Sequence, residues 1–292
     1  MGGDFDPLSC ISPIDRFLSD YPDTFISVHL TKENLREFEQ QFGDHSRVAI
    51  KVSEAFVSPE DSPIQKLDRS NTTMSAALVA AKHRGVAMSS GNTGVLMALS
   101  RKVIGRMQGV RRPAIAAWVP NLKGEHTLLL DVGANLVLSA QHLHELAQTG
   151  SQYLTNNDQK PRVGLLNLGT EHHKGTATIQ QVNQLLMQDA TINYVGFVEP
   201  NTLFDIECDL VVTDGYSGNL LIKSAEGVCH FTYHEMLRAG VAIEQLVESR
   251  LDYRKYNGAV IVGLNKPVFK SHGAADAFAF YSAIVNARNF CI

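Results

Sequence analysis

Four short segments combine glycine with asparagine, aspartate or serine, and these residue types can bind an anion through backbone and side-chain donors. The segments are Ser89–Gly94, Asp131–Asn135, Asn167–Gly169 and Asp214–Asn219. Glycine lets the backbone approach a ligand closely, and a helix that begins near Asn92 would direct its free N–H groups at an anion. A tight turn with a helix cap would explain any one segment. Four of them favour a phosphate site.

Two basic elements could act with these segments. Lys174 lies between a predicted strand and a predicted helix, and Lys270 and His272 occupy an equivalent place near the C-terminus. A lysine there could reach a phosphate or a developing oxyanion, although a lone lysine is usually solvated surface. The adjacent residues His172 and His173 have no apparent third ligand, so we expect no metal site.

Standard nucleotide and zinc motifs are missing from the sequence. It contains no G-x-x-x-x-G-K-[ST], no G-x-G-x-x-G and no H-E-x-x-H. Gly215–Gly218 superficially resembles a hydrolase elbow, but the G-x-S-x-G spacing is missing. We therefore interpret Ser217 as a loop or capping residue, not as a nucleophile.

The elements that position these segments follow from the alternation of apolar runs with helical patterns after about residue 86. This alternation predicts a parallel sheet with helices on both faces, built from βαβ units, with ligands at the carboxyl ends of the strands. The runs are the approach to Ser89 and Ser90, Pro113–Val119, Thr127–Leu130, Arg162–Leu168, Ile192–Val198, Asp209–Val212 and Ala259–Leu264. Helical spacing appears from Leu96 to Met107 and from Ile179 to Leu186.

The stretch from Asn219 to Leu251 is almost unbroken in helical character and predicts a helical hairpin with a break at Gly240. Its large apolar residues could form a dimer face or a partner-docking face, but we favour core packing. They are Phe231, Tyr233, Met236 and Leu237. No clean domain boundary is visible, so we predict a single domain over residues 1–292 with the hairpin at about 219–251.

The bulk composition limits the partners. The 292 residues carry 26 basic and 30 acidic side chains, a net charge of -4, which gives no general attraction for nucleic acid. The N-terminus lacks the basic flank and apolar run of a signal peptide, and no stretch approaches the length of a membrane span. We therefore expect a cytoplasmic protein that does not bind nucleic acid.

In chain order, these segments resemble the phosphate acyltransferase family of bacterial phospholipid synthesis, also called acyl-acyl-carrier-protein:phosphate acyltransferase. The matching motifs span nearly the whole chain. They are Met1–Asp4, Ser90–Gly94, Leu130–Asn135, Arg162–Gly169 with Lys174–Gly175, Val212–Gly215 with Gly218–Asn219, and Gly263–Asn265 with Lys270–Ala277. Family members usually have a strand immediately before the first motif, which here starts the chain, and we expect the placement of Asp4 to depend on that strand.

The resemblance implies an α/β fold: a three-layer αβα sandwich with a mostly parallel sheet, like phosphotransacetylases and isopropylmalate dehydrogenases, plus a projecting helical hairpin. It also implies a homodimer without a cofactor. The implied reaction moves a long-chain fatty acyl group from acyl carrier protein to inorganic phosphate, which gives acyl-phosphate for phosphatidic acid and phospholipid synthesis. Peripheral contact with the inner face of the cell membrane is implied as well, although the hairpin here is shorter than is typical.

The resemblance and the loop chemistry together suggest roles for individual residues. Phosphate would attack the thioester carbonyl directly, so no enzyme nucleophile is required. We predict that Lys174 binds phosphate or stabilises the oxyanion and that Asn219 donates a hydrogen bond to the carbonyl. The other predicted substrate-binding residues cradle phosphate or shape the pocket. They are Asp4, Ser90, Asn92, Thr93, Gly94, Asp131, Asn135, Asp214, Lys270 and His272.

Three alternatives remain open at the level of the sequence. A short-chain phosphotransacetylase would use acyl-CoA, and it should lack the K-S-H-G segment at Lys270–Gly273. A non-catalytic homologue that only binds carrier protein need not keep both Lys174 and Asn219. A dehydrogenase of the isopropylmalate type would respond to NAD, but the sequence contains no dinucleotide signature.

Overall fold

The computed structural model describes residues 2–62, 71–155, 159–171, 173–205, 207–241 and 252–290. The chain divides into two compact units. The first unit is formed by Met1–Met107 and Arg254–Ile292, and the second by Gln108–Tyr253. The single functional domain over residues 1–292 stays a prediction.

The described residues form ten strands and eight α-helices. The strands are β1 (Ile26–Thr31), β2 (Val48–Ser53), β3 (Ala87–Ser89), β4 (Ala114–Pro120), β5 (His126–Leu130), β6 (Arg162–Leu166), β7 (Asn193–Val198), β8 (Leu210–Val212), β9 (Ala259–Val262) and β10 (Val268–Lys270). The helices are α1 (Ile11–Asp20), α2 (Leu35–Phe42), α3 (Thr73–His83), α4 (Thr93–Val103), α5 (Ala140–Leu154), α6 (Ala177–Gln188), α7 (Gly215–Arg238) and α8 (Ala277–Asn289). Every strand predicted from an apolar run is confirmed.

In the second unit the strand order is β4-β5-β8-β6-β7. Strands β5, β8, β6 and β7 are parallel, as predicted, and their residues Leu128, Leu165 and Leu210 are completely buried. Such continuous apolar burial is typical of a parallel sheet that is covered on both faces. The carboxyl ends of β5, β8 and β6 therefore lie at one edge.

The prediction of βαβ units throughout is wrong for β4 and β5, which are antiparallel. Only residues 121–125 join these two strands, too few for the crossover that a parallel pair requires. Asn121 shapes the turn, because its side-chain oxygen accepts hydrogen bonds from the N–H groups of Lys123 and Glu125 at 3.1 and 2.8 Å.

The first unit contains the parallel pair β1-β2 and the strands β3-β10-β9, in which β10 runs parallel to β3 and antiparallel to β9. Side chains of α1, β1 and α2 make up one core cluster. It consists of Ile14, Leu18, Leu30, Phe38 and Phe42. Helix α1 contributes because its apolar residues recur at helical spacing and form a single buried stripe. This cluster packs α1, β1 and α2 against one another.

Helix α7 begins earlier than predicted, at Gly215 instead of Asn219, because Asp214 caps it. It ends at Arg238, and the positive φ of 66° at Gly240 agrees with the predicted break. Residues 242–251, which would complete the predicted hairpin, lie outside the described residues.

The predicted core packing of this helix is wrong for two of its four large apolar residues. Phe231 is 66% exposed and Leu237 is 50% exposed. Only Gly215 and Gly218, at the N-terminal end of α7, are buried. Among the described helices, none combines the length and the apolar character needed to cross a membrane.

Candidate functional site

The first unit contains a cavity of about 330 Å³ at the carboxyl end of β3, here called the glycine-loop cavity. It is lined by residues 90–94 with Gly2, Asp4, Pro59, Lys270 and Gly273. Six predicted substrate-binding residues therefore meet at one place. They are Asp4, Ser90, Asn92, Thr93, Gly94 and Lys270.

The side chain of Asn92 holds the loop together and has no N–H group left to donate to a ligand. Its Oδ1 accepts the N–H of Val95 at 3.0 Å, which caps α4. Its Nδ2 donates to the carbonyl oxygens of Pro59 and Asp61 at 2.7 and 3.1 Å. The amide group is thus occupied on both sides.

The donors that face the cavity belong to the backbone of α4. The first intrahelical hydrogen bond runs from Leu96 N to Asn92 O, and Asn92 Oδ1 takes the N–H of Val95. Helix geometry therefore leaves the N–H groups of Thr93 and Gly94 without an acceptor in the helix. Because the helix dipole adds partial positive charge there, these two groups can bind an anion.

Lys270 ties two loops of the cavity together. Its ammonium group donates to the carbonyl oxygen of Ser90 at 3.1 Å and to that of Ser271. Strand β10 lies beside β3, so the lysine joins the two strand ends. Its positive charge still contributes to the cavity, and it favours an anionic ligand.

The N-terminal segment reaches the cavity because its glycines allow close backbone contact. A Cβ on Gly2, which has a φ of 80°, would lie 2.1 Å from the carbonyl oxygen of Val57. Asp4 is positioned by its own N–H, which donates to the carbonyl oxygen of Gly273 at 2.9 Å. The Asp4 carboxylate is exposed at the cavity wall.

His272 does not line the glycine-loop cavity, in contrast to the other residues predicted in the first unit. Its N–H donates to Asn257 Oδ1 at 2.9 Å, and its Nδ1 accepts the N–H of Ala274 at 3.2 Å. Asn257, which sequence reasoning missed, also donates to Ser271 Oγ and to the carbonyl oxygen of Ala279, both at 2.9 Å. The sequence signal for it is the Asn-Gly pair at residues 257–258, just before β9.

In the second unit, the loops after β5, β6 and β8 form a second group, here called the second-unit loop cluster. It comprises residues 131–135, 167–171, 173–175 and 214–219. The parallel register aligns Leu130 with Val212 and Val212 with Leu165, so the three loops begin at the same edge of the sheet. This confirms the predicted common edge for three of the four glycine-rich segments.

Asp131 anchors the first loop of this cluster and is completely buried. Its carboxylate accepts hydrogen bonds at 2.8–3.2 Å from four backbone N–H groups and from one side-chain amide. The donors are Ile115, Gly133, Ala134 and Asn135 through their backbones, and Asn135 through Nδ2. Burial raises the pKa of Asp131, and the hydrogen bonds from Ala134, Asn135 and Gly133 oppose that shift.

The N-terminal turn of α7 packs directly against this loop. Gly215 N donates to the carbonyl oxygen of Asn135 at 2.8 Å, and Asn135 Nδ2 donates to the carbonyl oxygen of Pro113. A Cβ on Gly218 would lie 1.9 Å from the carbonyl oxygen of Asp131. This contact explains why glycine is required at position 218.

Asp214 has a structural task like that of Asn92. Its Oδ1 accepts the N–H of Ser217 at 2.8 Å, and its Oδ2 accepts the Ser217 hydroxyl at 3.1 Å. Ser217 is therefore part of a helix cap, in agreement with the interpretation of its sequence. The carboxyl edge of the sheet is therefore shaped by the side chains of Asp131, Asn135 and Asp214. Other groups face solvent there.

Asn219 is one of the exposed polar groups at this edge. One N–H of its side-chain amide donates to the carbonyl oxygen of Val132 at 3.1 Å. Gly133, with a φ of 135°, makes room for it, because a Cβ there would lie 3.0 Å from Asn219 Nδ2. An amide nitrogen carries two N–H groups, so the second can serve a ligand.

Lys174 is the exposed cation of the cluster, with 47% of its side chain accessible. Its ammonium lies 4.0 Å from Glu171, which is 56% exposed, so this ion pair contributes little energy. Asn167, which lies in one of the four predicted segments but was given no role of its own, fixes the loop by donating to the carbonyl oxygens of Gly169 and Lys174 at 3.0 and 3.2 Å. The lysine side chain can therefore move to a ligand while its backbone stays in place.

The described residues of these loops do not bring metal ligands together. In the described part of the chain, no group of three or more His, Cys, Asp and Glu side chains could hold a metal ion. His172, which we considered as a ligand from the sequence, lies outside the described residues.

Solved structures with similar folds include a phosphotransacetylase from Streptococcus pyogenes, with a TM-score of 0.52 and 14% identity over 96% of this chain and 98% of that one. A putative 4-hydroxythreonine-4-phosphate dehydrogenase from Salmonella typhimurium gives a TM-score of 0.56 and 12% identity over 99% and 97%. These likenesses confirm the α/β fold with a mostly parallel sheet.

Relatives with similar sequences identify the family, which the similar folds do not. The phosphate acyltransferase of Bacillus subtilis is 35% identical over 99% of this chain and 91% of its own length, and that of Bacillus licheniformis is 34% identical over 99% and 92%. The family model described as "Fatty acid synthesis protein" matches residues 1–291. The chain therefore belongs to this family, with the phosphate acyltransferases as its relatives.

Proposed function

We propose that this protein transfers a long-chain fatty acyl group from acyl carrier protein to inorganic phosphate. The acyl-phosphate product would serve phosphatidic acid and phospholipid synthesis. The observation that carries the proposal is the glycine-loop cavity. The N–H groups of Thr93 and Gly94 line it at the start of α4, and Lys270 adds a positive charge to it. Membership of the phosphate acyltransferase family supports the same reaction.

The groups of the glycine-loop cavity suit the nucleophile. Inorganic phosphate is a small dianion that presents acceptors in several directions, and backbone N–H groups at a helix start satisfy such an ion without a flexible side chain. The volume of about 330 Å³ accommodates phosphate. We assign phosphate binding to Thr93, Gly94 and Lys270, with Asn92 as the residue that positions the loop.

The exposed groups of the second-unit loop cluster suit the acyl donor. Attack by a phosphate oxygen on the thioester carbonyl forms a C–O bond and a tetrahedral oxyanion, and collapse breaks the C–S bond and releases the thiolate. The Lys174 ammonium and the Asn219 amide would stabilise the oxyanion. This mechanism uses no covalent enzyme intermediate.

A long acyl chain fits the surface beside Asn219 better than a short one. The hydrogen bond from Gly215 N to Asn135 O joins the chain segments that carry Tyr216 and Leu136, and Leu220 follows one helical turn after Tyr216. Leu136, Tyr216 and Leu220 are 62%, 63% and 57% exposed. Apolar side chains in contact with solvent are a natural surface for methylene groups, which favours a fatty acyl donor over an acetyl donor.

The direct test is to incubate the protein with palmitoyl-acyl carrier protein and phosphate and to trap acyl-phosphate as its hydroxamate, with reactions that lack phosphate as the blank. We expect phosphate-dependent product from this donor. Acetyl-CoA tests the short-chain alternative in the same assay. Absence of product from palmitoyl-acyl carrier protein would remove the proposal, and product from acetyl-CoA alone would replace it with a short-chain phosphotransacetylase.

A further inference from the structure

Helix α7 carries two histidines one turn apart on its exposed part. His230 and His234 are both exposed, and their Nε2 atoms lie 3.1 Å from each other. We propose that these two imidazoles chelate a divalent transition-metal ion such as Zn²⁺, Ni²⁺ or Cu²⁺, with water in the remaining coordination positions. This site is separate from the acyl-transfer groups.

The spacing of the two nitrogens matches that of two ligands on one ion. Metal–imidazole bonds of about 2.0–2.1 Å that subtend 90–109° place the two nitrogens about 2.8–3.4 Å apart. The observed 3.1 Å lies within this range. An ion could therefore bind both nitrogens with little rearrangement of the helix.

The helix itself preorganises the pair. Residues i and i+4 lie on one face, so the backbone sets the separation of His230 and His234 before an ion arrives. Tyr233 packs edge-on against the ring of His234, with ring centroids 5.7 Å apart, and restricts its orientation. Imidazole nitrogen is a preferred ligand of zinc, nickel and copper, which decides the class of metal.

The same distance also fits a hydrogen bond from one neutral imidazole to the other. At an exposed position such a bond contributes little net energy, so an ion that gains two nitrogen ligands can replace it. The described residues hold no third His, Cys, Asp or Glu in a ligating arrangement with this pair. We therefore describe the bound ion as exchangeable, not as a structural ion.

Isothermal titration of untagged protein with NiCl₂ and ZnCl₂, in a buffer that does not bind metal, tests the proposal. The wild type should bind one ion per chain at this site. His230→Ala and His234→Ala should each weaken binding by at least about tenfold, since changes outside the ligand set alone cost about 10–100-fold. His83→Ala, which removes an exposed histidine from the end of α3, should leave the affinity unchanged.

A double variant tests the spacing instead of the number of histidines. His234→Ala with Glu235→His keeps both imidazoles but places them five residues apart, on different faces of the helix, and should bind as weakly as His234→Ala. Cu²⁺ bound to the wild type should show two nitrogen ligands by electron paramagnetic resonance. No binding by wild type at millimolar metal, or equal binding by His234→Ala, would overturn the proposal. Circular dichroism verifies that each variant is folded.

Discussion

The glycine-loop cavity and the second-unit loop cluster use similar residues in different ways. In the cavity, the side-chain amide of Asn92 is fully engaged with carbonyl oxygens, so the groups left for a ligand are backbone N–H groups, with the charge of Lys270 beside them. In the loop cluster, Asp131 holds the backbone and the exposed groups are the side chains of Lys174 and Asn219. Under the proposed function, the rigid backbone donors would serve the small anion, whereas the exposed side chains would serve the larger acyl donor.

The largest effect is expected at the buried anchor of the loop cluster. Asp131→Ala would leave four backbone N–H groups without their acceptor inside the protein, and should reduce the free energy of unfolding by about 3 kcal/mol or more. Asp214→Ala, at the neighbouring strand end, removes only a helix cap and should cost about 1 kcal/mol. Urea unfolding measures both. Equal losses would show that Asp131 is not the anchor.

The next largest effect on stability distinguishes two glycines of α7. Gly218→Ala places a methyl group against the carbonyl oxygen of Asp131 and should destabilise the protein by about 2–3 kcal/mol. A Cβ on Gly227 would meet no described atom within 4 Å beyond its own helical turn, so Gly227→Ala should stabilise the helix by up to about 1 kcal/mol. Thermal unfolding should show opposite shifts in Tm. A lower Tm for both variants would contradict the close packing at position 218.

Loss of the mobile cation should affect turnover without affecting stability. Lys174→Ala should reduce kcat/KM at least about tenfold, which corresponds to about 1.4 kcal/mol in the transition state. Lys82→Ala removes an exposed lysine from α3 and serves as the matched control. An unchanged kcat/KM for Lys174→Ala would show that another residue stabilises the oxyanion.

The smallest effect concerns the apolar surface beside Asn219. Leu220→Ser should lower kcat/KM for a palmitoyl donor by about three- to tenfold, because it removes roughly one apolar contact of the chain. The rate with a butyryl donor should change less. Leu122→Ser, at another exposed leucine of the second unit, provides the comparison. Equal losses with both donors would show that this surface does not recognise the acyl chain.

Much of this arrangement was predictable from the sequence because buried strands are continuous apolar runs. The runs at Thr127–Leu130 and Asp209–Val212 became β5 and β8, and the glycine-rich segments after them became the loop cluster. The antiparallel direction of β4 was not predictable from apolar runs, because hydrophobicity carries no information on strand direction. Only the short connection to β5 determines it.

The roles of individual polar residues were harder to predict. Asn92 was expected to cradle phosphate, but its amide contacts the carbonyl oxygens of Pro59 and Asp61, which are more than 30 residues away in the chain. The tasks of Asn167, which bonds within its own loop, and of Asn257, which bonds to residues 14 and 22 positions away, were not predicted either, since a side-chain amide in a loop has no periodicity. Long-range hydrogen bonds decide which groups remain for a ligand.

The central claim is that phosphate binds to backbone N–H groups of α4. Thr93→Pro removes one of these groups at the first helical position, where proline is well tolerated, and the ψ of 121° at Asn92 suits a following proline. Thr93→Ala removes the side chain but keeps the N–H group. The measurement is KM for phosphate and for palmitoyl-acyl carrier protein in both variants.

We predict that Thr93→Pro raises KM for phosphate by about 10- to 100-fold, the effect of one hydrogen bond to a charged ligand. Thr93→Ala should stay near the wild type, and KM for the acyl donor should be unchanged in both variants. Equal KM values for phosphate in Thr93→Pro and Thr93→Ala would contradict the claim.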